Sequence, residues 1–128
     1  MNNSKRWRLM AIFLLVFHSG NAFGAVSQSE CVQSVMGEAR GESYEGKVAL
    51  AEALYRRGTL KGVYGYKVKV KEAKWVWNQA KDACVEGKTS NLVPGATHWE
   101  GTAFKTPYWV SSMDEVKVIG NQRFYKNK

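Results

Sequence analysis

The sequence predicts a mainly α chain with a small β element near its C-terminus. Two observations carry that prediction. Three stretches place apolar side chains three and four residues apart and stop at or near glycine. The last dozen residues instead read as two short strands about a Gly120-Asn121 turn.

Taken in order, the chain opens with an address rather than with fold. Lys5, Arg6 and Arg8 precede the apolar run Leu9 to Phe17, and Ala22-Phe23-Gly24 places small residues two apart. This is a secretory signal pattern with cleavage expected after Gly24, so the working domain is expected to span residues 25–128. The run is shorter than the roughly 20 residues that cross a bilayer, and no stable membrane anchor is expected after cleavage.

Ser27 or Ser29 can cap a first helix in which Val32, Val35 and Met36 share a face, with its end near Glu38. Ser43 reads as the cap of a second helix, with Glu45 in its first turn, Val48, Ala51, Leu54 and Tyr55 on one face, and a stop at Gly58. A Gly- and Tyr-rich stretch, Gly62 to Tyr66, leads to a third helix carrying Ala73, Trp77, Ala80 and Cys84 on one side and ending at Gly87. Trp75 and Trp77, inside that helix, are assigned to packing. Residues 91–101 and 106–109 are aromatic and loop-like, and are expected to form a binding wall.

Composition narrows the chemistry. The formal charge of +8 falls to +5 once Lys5, Arg6 and Arg8 are removed. A basic balance suits an anionic partner, but does not distinguish a cell wall from nucleic acid. Cys31 and Cys84 can form one bridge, closing about fifty residues, and export favours that bridge over two free thiols. His98 is the only histidine after residue 24, which excludes a multi-histidine metal site; no metal and no other cofactor is expected.

Glycosidic cleavage needs a carboxylic acid within hydrogen-bond reach of the leaving oxygen. Glu38 falls at the C-terminal end of the first helix, where the helix dipole disfavours a negative charge. Glu42 lies one turn further on and would stand about 5 to 6 Å away, measured between β-carbons, if the helix continued. Gly41 and Ser43 argue for a break, and Arg40 can instead neutralise Glu42. Trp99, Tyr108 and Trp109 offer faces on which sugar rings stack, and His98 can orient a carboxylate or contact substrate.

The segment Val35-Met36-Gly37-Glu38-Ala39-Arg40-Gly41-Glu42-Ser43-Tyr44-Glu45-Gly46-Lys47-Val48-Ala49 resembles the opening motif of the SleB-type cell-wall hydrolases, the spore cortex-lytic enzyme family. Pro94-Gly95-Ala96-Thr97-His98-Trp99-Glu100, then Pro107-Tyr108-Trp109, then Ile119-Gly120-Asn121-Gln122-Arg123-Phe124-Tyr125 resemble that family's later blocks in the same order. The resemblance implies a compact lysozyme-like, lytic-transglycosylase-like domain. It further implies an exported monomer that acts on peptidoglycan, in the periplasm or outside the cell, and not on nucleic acid.

Glu38 is then the essential acid, and Arg40, Glu42, His98, Trp99 and Tyr125 are the implied substrate contacts. The implied reaction is lytic transglycosylation between N-acetylmuramic acid and N-acetylglucosamine. A catalytically silent wall-binding or inhibitory module is the alternative. Two departures stand out. Arg56-Arg57 occupies the place of the family's Asn-Arg pair, and Gly62 through Lys74 do not reproduce its proline-marked stretch leading to Gln-Phe-Ser.

Overall fold

The structure, a computed structural model, describes residues 25–128. The signal segment and its cleavage point lie outside the described residues. Helix α1 spans Gln28–Ala39 and starts in a reciprocal cap: the Glu30 amide donates to Ser27 Oγ at 3.2 Å while the Ser27 amide donates to Glu30 Oε1 at 2.9 Å. Helix α2 spans Tyr44–Arg57, capped by Ser43, whose Oγ accepts from the Gly46 amide at 3.1 Å. It ends at Gly58, whose φ of 73° suits a residue without a β-carbon.

Every residue of α2 from Gly46 to Leu54 is buried. A helix apolar or small on most of its circumference belongs at the centre of a fold, and α2 is packed on one side by α1 and on another by helix α3, Lys74–Glu86. Helix α3 turns Val76, Ala80, Ala83 and Cys84 inward. Trp77 is partly buried against the core, as its spacing predicts. Trp75 is not: it is 68% exposed, because two residues along a helix turn a side chain by about 200° from Trp77.

Cys31 and Cys84 are bridged, with their α-carbons 6.0 Å apart and a sequence separation of 53. The bond ties α1 to α3 and contributes on the order of 4 kcal/mol in the chain-entropy picture.

The β element is larger than the sequence suggests. Strands β2, Met113–Ile119, and β3, Gln122–Asn127, form the expected hairpin, with β2 starting three residues earlier than the alternation at Val116 indicates. A third strand, β1, His98–Gly101, lies within the stretch read as loop. The antiparallel order is β1-β3-β2, with His98 opposite Tyr125, Trp99 opposite Phe124 and Glu100 opposite Arg123. Four residues ending in glycine are too few to reveal a period of two, and pairing with β3 creates the strand. Phe124 and Ile119 join the helical core, so one sheet face closes over it. Short 3-10 turns at Tyr64–Lys67 and Tyr108–Ser112 complete the described chain. Among the described residues no helix is long and apolar enough to cross a membrane.

Candidate active site

A cleft of about 1000 Å³ opens where the end of α1, the end of α2, the Tyr64–Lys67 turn and strand β1 meet. Glu38 lines it from the last turn of α1. The turn reaches Glu38 through an unusually close backbone approach: a β-carbon on Gly37 would overlap the Gly65 carbonyl, and one on Gly65 would stand 2.5 Å from Glu38 Cγ. The approach lets the Gly65 amide donate to Glu38 Oε1 at 2.9 Å. On the other side Gln122 Nε2 donates to the Glu38 carbonyl at 3.1 Å. The helix end is thereby tied to β3, and one carboxylate oxygen is fixed. The other oxygen has no hydrogen bond to the described residues.

Arg57, the last residue of α2, also lines the cleft. Burial pulls its guanidinium below the ordinary arginine value, and the nearby Glu38 charge offsets part of that. Its guanidinium lies 5.7 Å from the centre of the Trp99 ring and donates to the Lys61 carbonyl.

The opposite wall is a chain of aromatic contacts. His98 and Trp109 have ring centres 5.3 Å apart, and Trp109 meets Tyr125 edge-on at 5.4 Å. Thr97 Oγ1 is 2.8 Å from His98 Nδ1. Burial first, and then the charge of Arg57, hold the His98 imidazole below 6.5. Titration of His98 by NMR is expected to place its midpoint below 6.5, and Arg57→Ala to move it upward. An unchanged midpoint in the variant would remove Arg57 as a cause.

Tyr125 itself is 2% exposed, and its hydroxyl donates to Glu100 Oε1 at 2.5 Å. Arg123 adds a contact to the same oxygen at 3.4 Å and pairs with Glu115 at 2.9 Å. Burial, then the bond to Glu100, pushes the Tyr125 phenol up. Tyr125, held by Glu100, therefore braces Trp109.

No family model and no curated protein matches the chain. Solved structures do. The catalytic domain of the Bacillus cereus SleB protein superposes with a TM-score of 0.59 at 22% identity, covering 80% of this chain and 93% of its own. The catalytic domain of the germination-specific lytic transglycosylase SleB from Bacillus anthracis gives 0.58 at 23%, covering 83% and 98%. The chain has the fold of the SleB catalytic domain.

In this SleB-like fold the ordered sequence blocks converge: the first forms the end of α1 and the start of α2, the second leads into β1, and the last forms the β2–β3 turn and β3. Glu38, His98 and Trp99 come together at the cleft. Arg40, Glu42 and Tyr125 are not among the residues lining it. Arg40 faces Glu72 at 3.8 Å rather than neutralising Glu42. Glu42 accepts from the Asn121 amide at 2.7 Å and from Asn121 Nδ2 at 3.2 Å, and so secures the β2–β3 turn. The helix ends at Ala39, which turns Glu42 away from the position one turn beyond Glu38 that continued helical geometry would give it.

Glu100 and Gln122 line the SleB-like cleft without having been singled out from sequence, and Arg57, noted there only as part of the Arg56-Arg57 departure, lines it too. Glu100 becomes legible only once β1 is known to be a strand.

Proposed function

We propose that the protein cuts the glycan strands of peptidoglycan by lytic transglycosylation, with Glu38 as both general acid and general base. Neutral Glu38 protonates the oxygen bridging N-acetylmuramic acid to N-acetylglucosamine, and the bond from that oxygen to the muramyl C1 breaks. The resulting carboxylate then takes the proton of the muramyl 6-hydroxyl as its oxygen closes on C1, forming a 1,6-anhydro ring and consuming no water.

The observation that carries this reading is the difference between the two cleft carboxylates. Among the described residues Glu38 keeps one oxygen free of hydrogen bonds beside the fixed one, whereas in Glu100 one oxygen is occupied by Tyr125 and Arg123 and the other is buried without a partner. Arg57 supplies positive charge near the carboxylate formed when Glu38 gives up its proton. Around the cleft, Tyr64, Phe104 and Tyr108 expose 82%, 78% and 93% of their surface, and such faces stack on sugar rings. Strand β1 brings Trp99 and His98 to the same cleft.

The Lys5-to-Gly24 signal pattern supports export, with the protein acting as a monomer on wall glycan in the periplasm or outside the cell. Purified protein incubated with peptidoglycan is expected to release fragments with 1,6-anhydromuramyl ends by mass spectrometry. Reducing muramyl ends would replace this mechanism with hydrolysis, and binding without release would reduce the protein to a wall-binding module.

A further inference from the structure

The described residues carry their excess positive charge very unevenly. Of the formal +5 that remains after residue 24, the stretch from Lys61 to Lys74 accounts for +4, with Lys61, Lys67, Lys69, Lys71 and Lys74 against the single acid Glu72. All five lysines are exposed, and Glu72 faces Arg40. The local excess is therefore not neutralised within its own segment.

The segment is also held in an unusual form. Residues 68–73 belong to no helix or strand, yet Gln33 Nε2 donates to the Val68 carbonyl at 2.9 Å and Val70 packs against the core. The alternation Lys67-Val68-Lys69-Val70-Lys71 puts its three lysines two residues apart. Lys67 closes the 3-10 turn, and Lys69 and Lys71 follow it in the non-helical stretch, where extended chain sets side chains two residues apart on one side at a repeat of about 6.6 Å. The segment starts at the 3-10 turn whose Gly65 amide fixes Glu38, and Lys61, on the other side of that turn, lines the cleft. Positive charge thus flanks the turn that fixes Glu38, with Lys61 at the cleft on one side and, on the other, a stretch of at most about 25 Å between Lys67 and Lys74.

We propose that Lys67, Lys69 and Lys71 form a binding strip for the carboxylates of the stem peptides on the strand whose glycan occupies the cleft. The inference rests on the glycan-cleaving reading above and names a second part of the substrate. A lysine ammonium is a compact point charge with three donors, suited to a row of separate anions rather than to one planar group. Stem peptides hang from the muramyl residues, so a glycan lying against Glu38 carries a series of carboxylates past the adjoining turn. The bond is electrostatic and exposed, and salt screens it within about 10 Å at 0.1 M.

The test uses the combined variant Lys67→Gln, Lys69→Gln and Lys71→Gln, and two substrates: intact peptidoglycan and glycan strands stripped of peptide. At low salt the variant is expected to cut and to sediment with intact peptidoglycan roughly tenfold more weakly than the parent, a difference that fades in about 1 M salt. On stripped strands the two proteins are expected to match. An equal loss on both substrates, or no loss on either, would overturn the strip. If the parent cuts neither substrate, the glycan-cleaving reading fails. The sedimentation arm still decides the strip, since only a preference of the parent for intact over stripped material, abolished in the variant, supports it. Inorganic polyphosphate that competes with the parent equally on both materials would reassign the strip to phosphate polymers and overturn the proposal.

Discussion

Glu38→Gln is expected to slow fragment release by about 10²- to 10⁴-fold, the usual contribution of a positioned acid or base. The substitution suits the question because glutamine keeps the shape of glutamate and an oxygen to accept the Gly65 amide, so the Gly37–Gly65 contact has no reason to open. What it loses is the acidic proton, and with it both steps assigned to the residue. Thermal unfolding and sedimentation with peptidoglycan are expected to stay near those of the parent. A variant that folds, binds and still releases anhydro-muramyl fragments within tenfold of the parent rate would sink the assignment, and Glu100 would be the next residue to change.

The second large effect concerns stability. Glu52, on α2, is 3% exposed and accepts four hydrogen bonds: from Ser90 Oγ at 2.7 Å, from the Leu92 and Val93 amides at 2.7 and 2.9 Å, and from Arg56 at 3.2 Å. Arg56 in turn donates to the Val93 and Ala96 carbonyls at 3.0 and 2.8 Å. Together the two side chains hold the loop that delivers His98 and Trp99 to the cleft. Glu52→Ala leaves two backbone amides and a guanidinium without their acceptor, and is expected to cost about 3 to 5 kcal/mol in chemical unfolding. A loss below about 1 kcal/mol would mean that the loop is held without Glu52, by its apolar contacts and the Arg56 bonds to Val93 and Ala96.

The same carboxylate gives stability a pH dependence. Burial alone raises the Glu52 pKa, but its bonds from Ser90, Val93, Leu92 and Arg56 together outweigh burial and hold it below 4.5. A carboxylate depressed in the folded state stabilises fully above its unfolded value and loses that contribution as pH falls through the folded one. The acid limb below about pH 4.5 is therefore expected to be shallower in Glu52→Gln than in the parent.

Much of the helical part was legible from local rules. Ser43 and Gly58 mark their helix ends in sequence as they do in space, and Ser27 is one of the two caps the sequence offers for the first helix, because capping depends on neighbours three or four residues away. Strand β1 was not legible, since His98 to Gly101 owe their extended pairing to residues 122–125, far along the chain. The site divides in the same way. Glu38, His98 and Trp99 lie in motifs that point to them. Arg57 and Gln122 reach the cleft only because α2 and β3 converge there, and Tyr125, which does not line it, is bound to Glu100, a partner that only the sheet register supplies. Trp75 shows how coarse a helical pattern is, since a tryptophan two residues from a packed one faces solvent.

The contact between Gly37 and Gly65 also governs how this sequence can drift. Neither position can gain a side chain without separating the turn from α1, and changing one offers no route to changing the other, so the two are locked as a pair. Gly41, only four residues away, has open space where a β-carbon would go, and is free to vary. Glycines that look equivalent in the motif therefore stand under opposite constraints. A descendant of this chain would keep its cleft through a pair of absent side chains, whereas an exposed charge such as Arg40, outside the cleft lining, is under no such steric constraint.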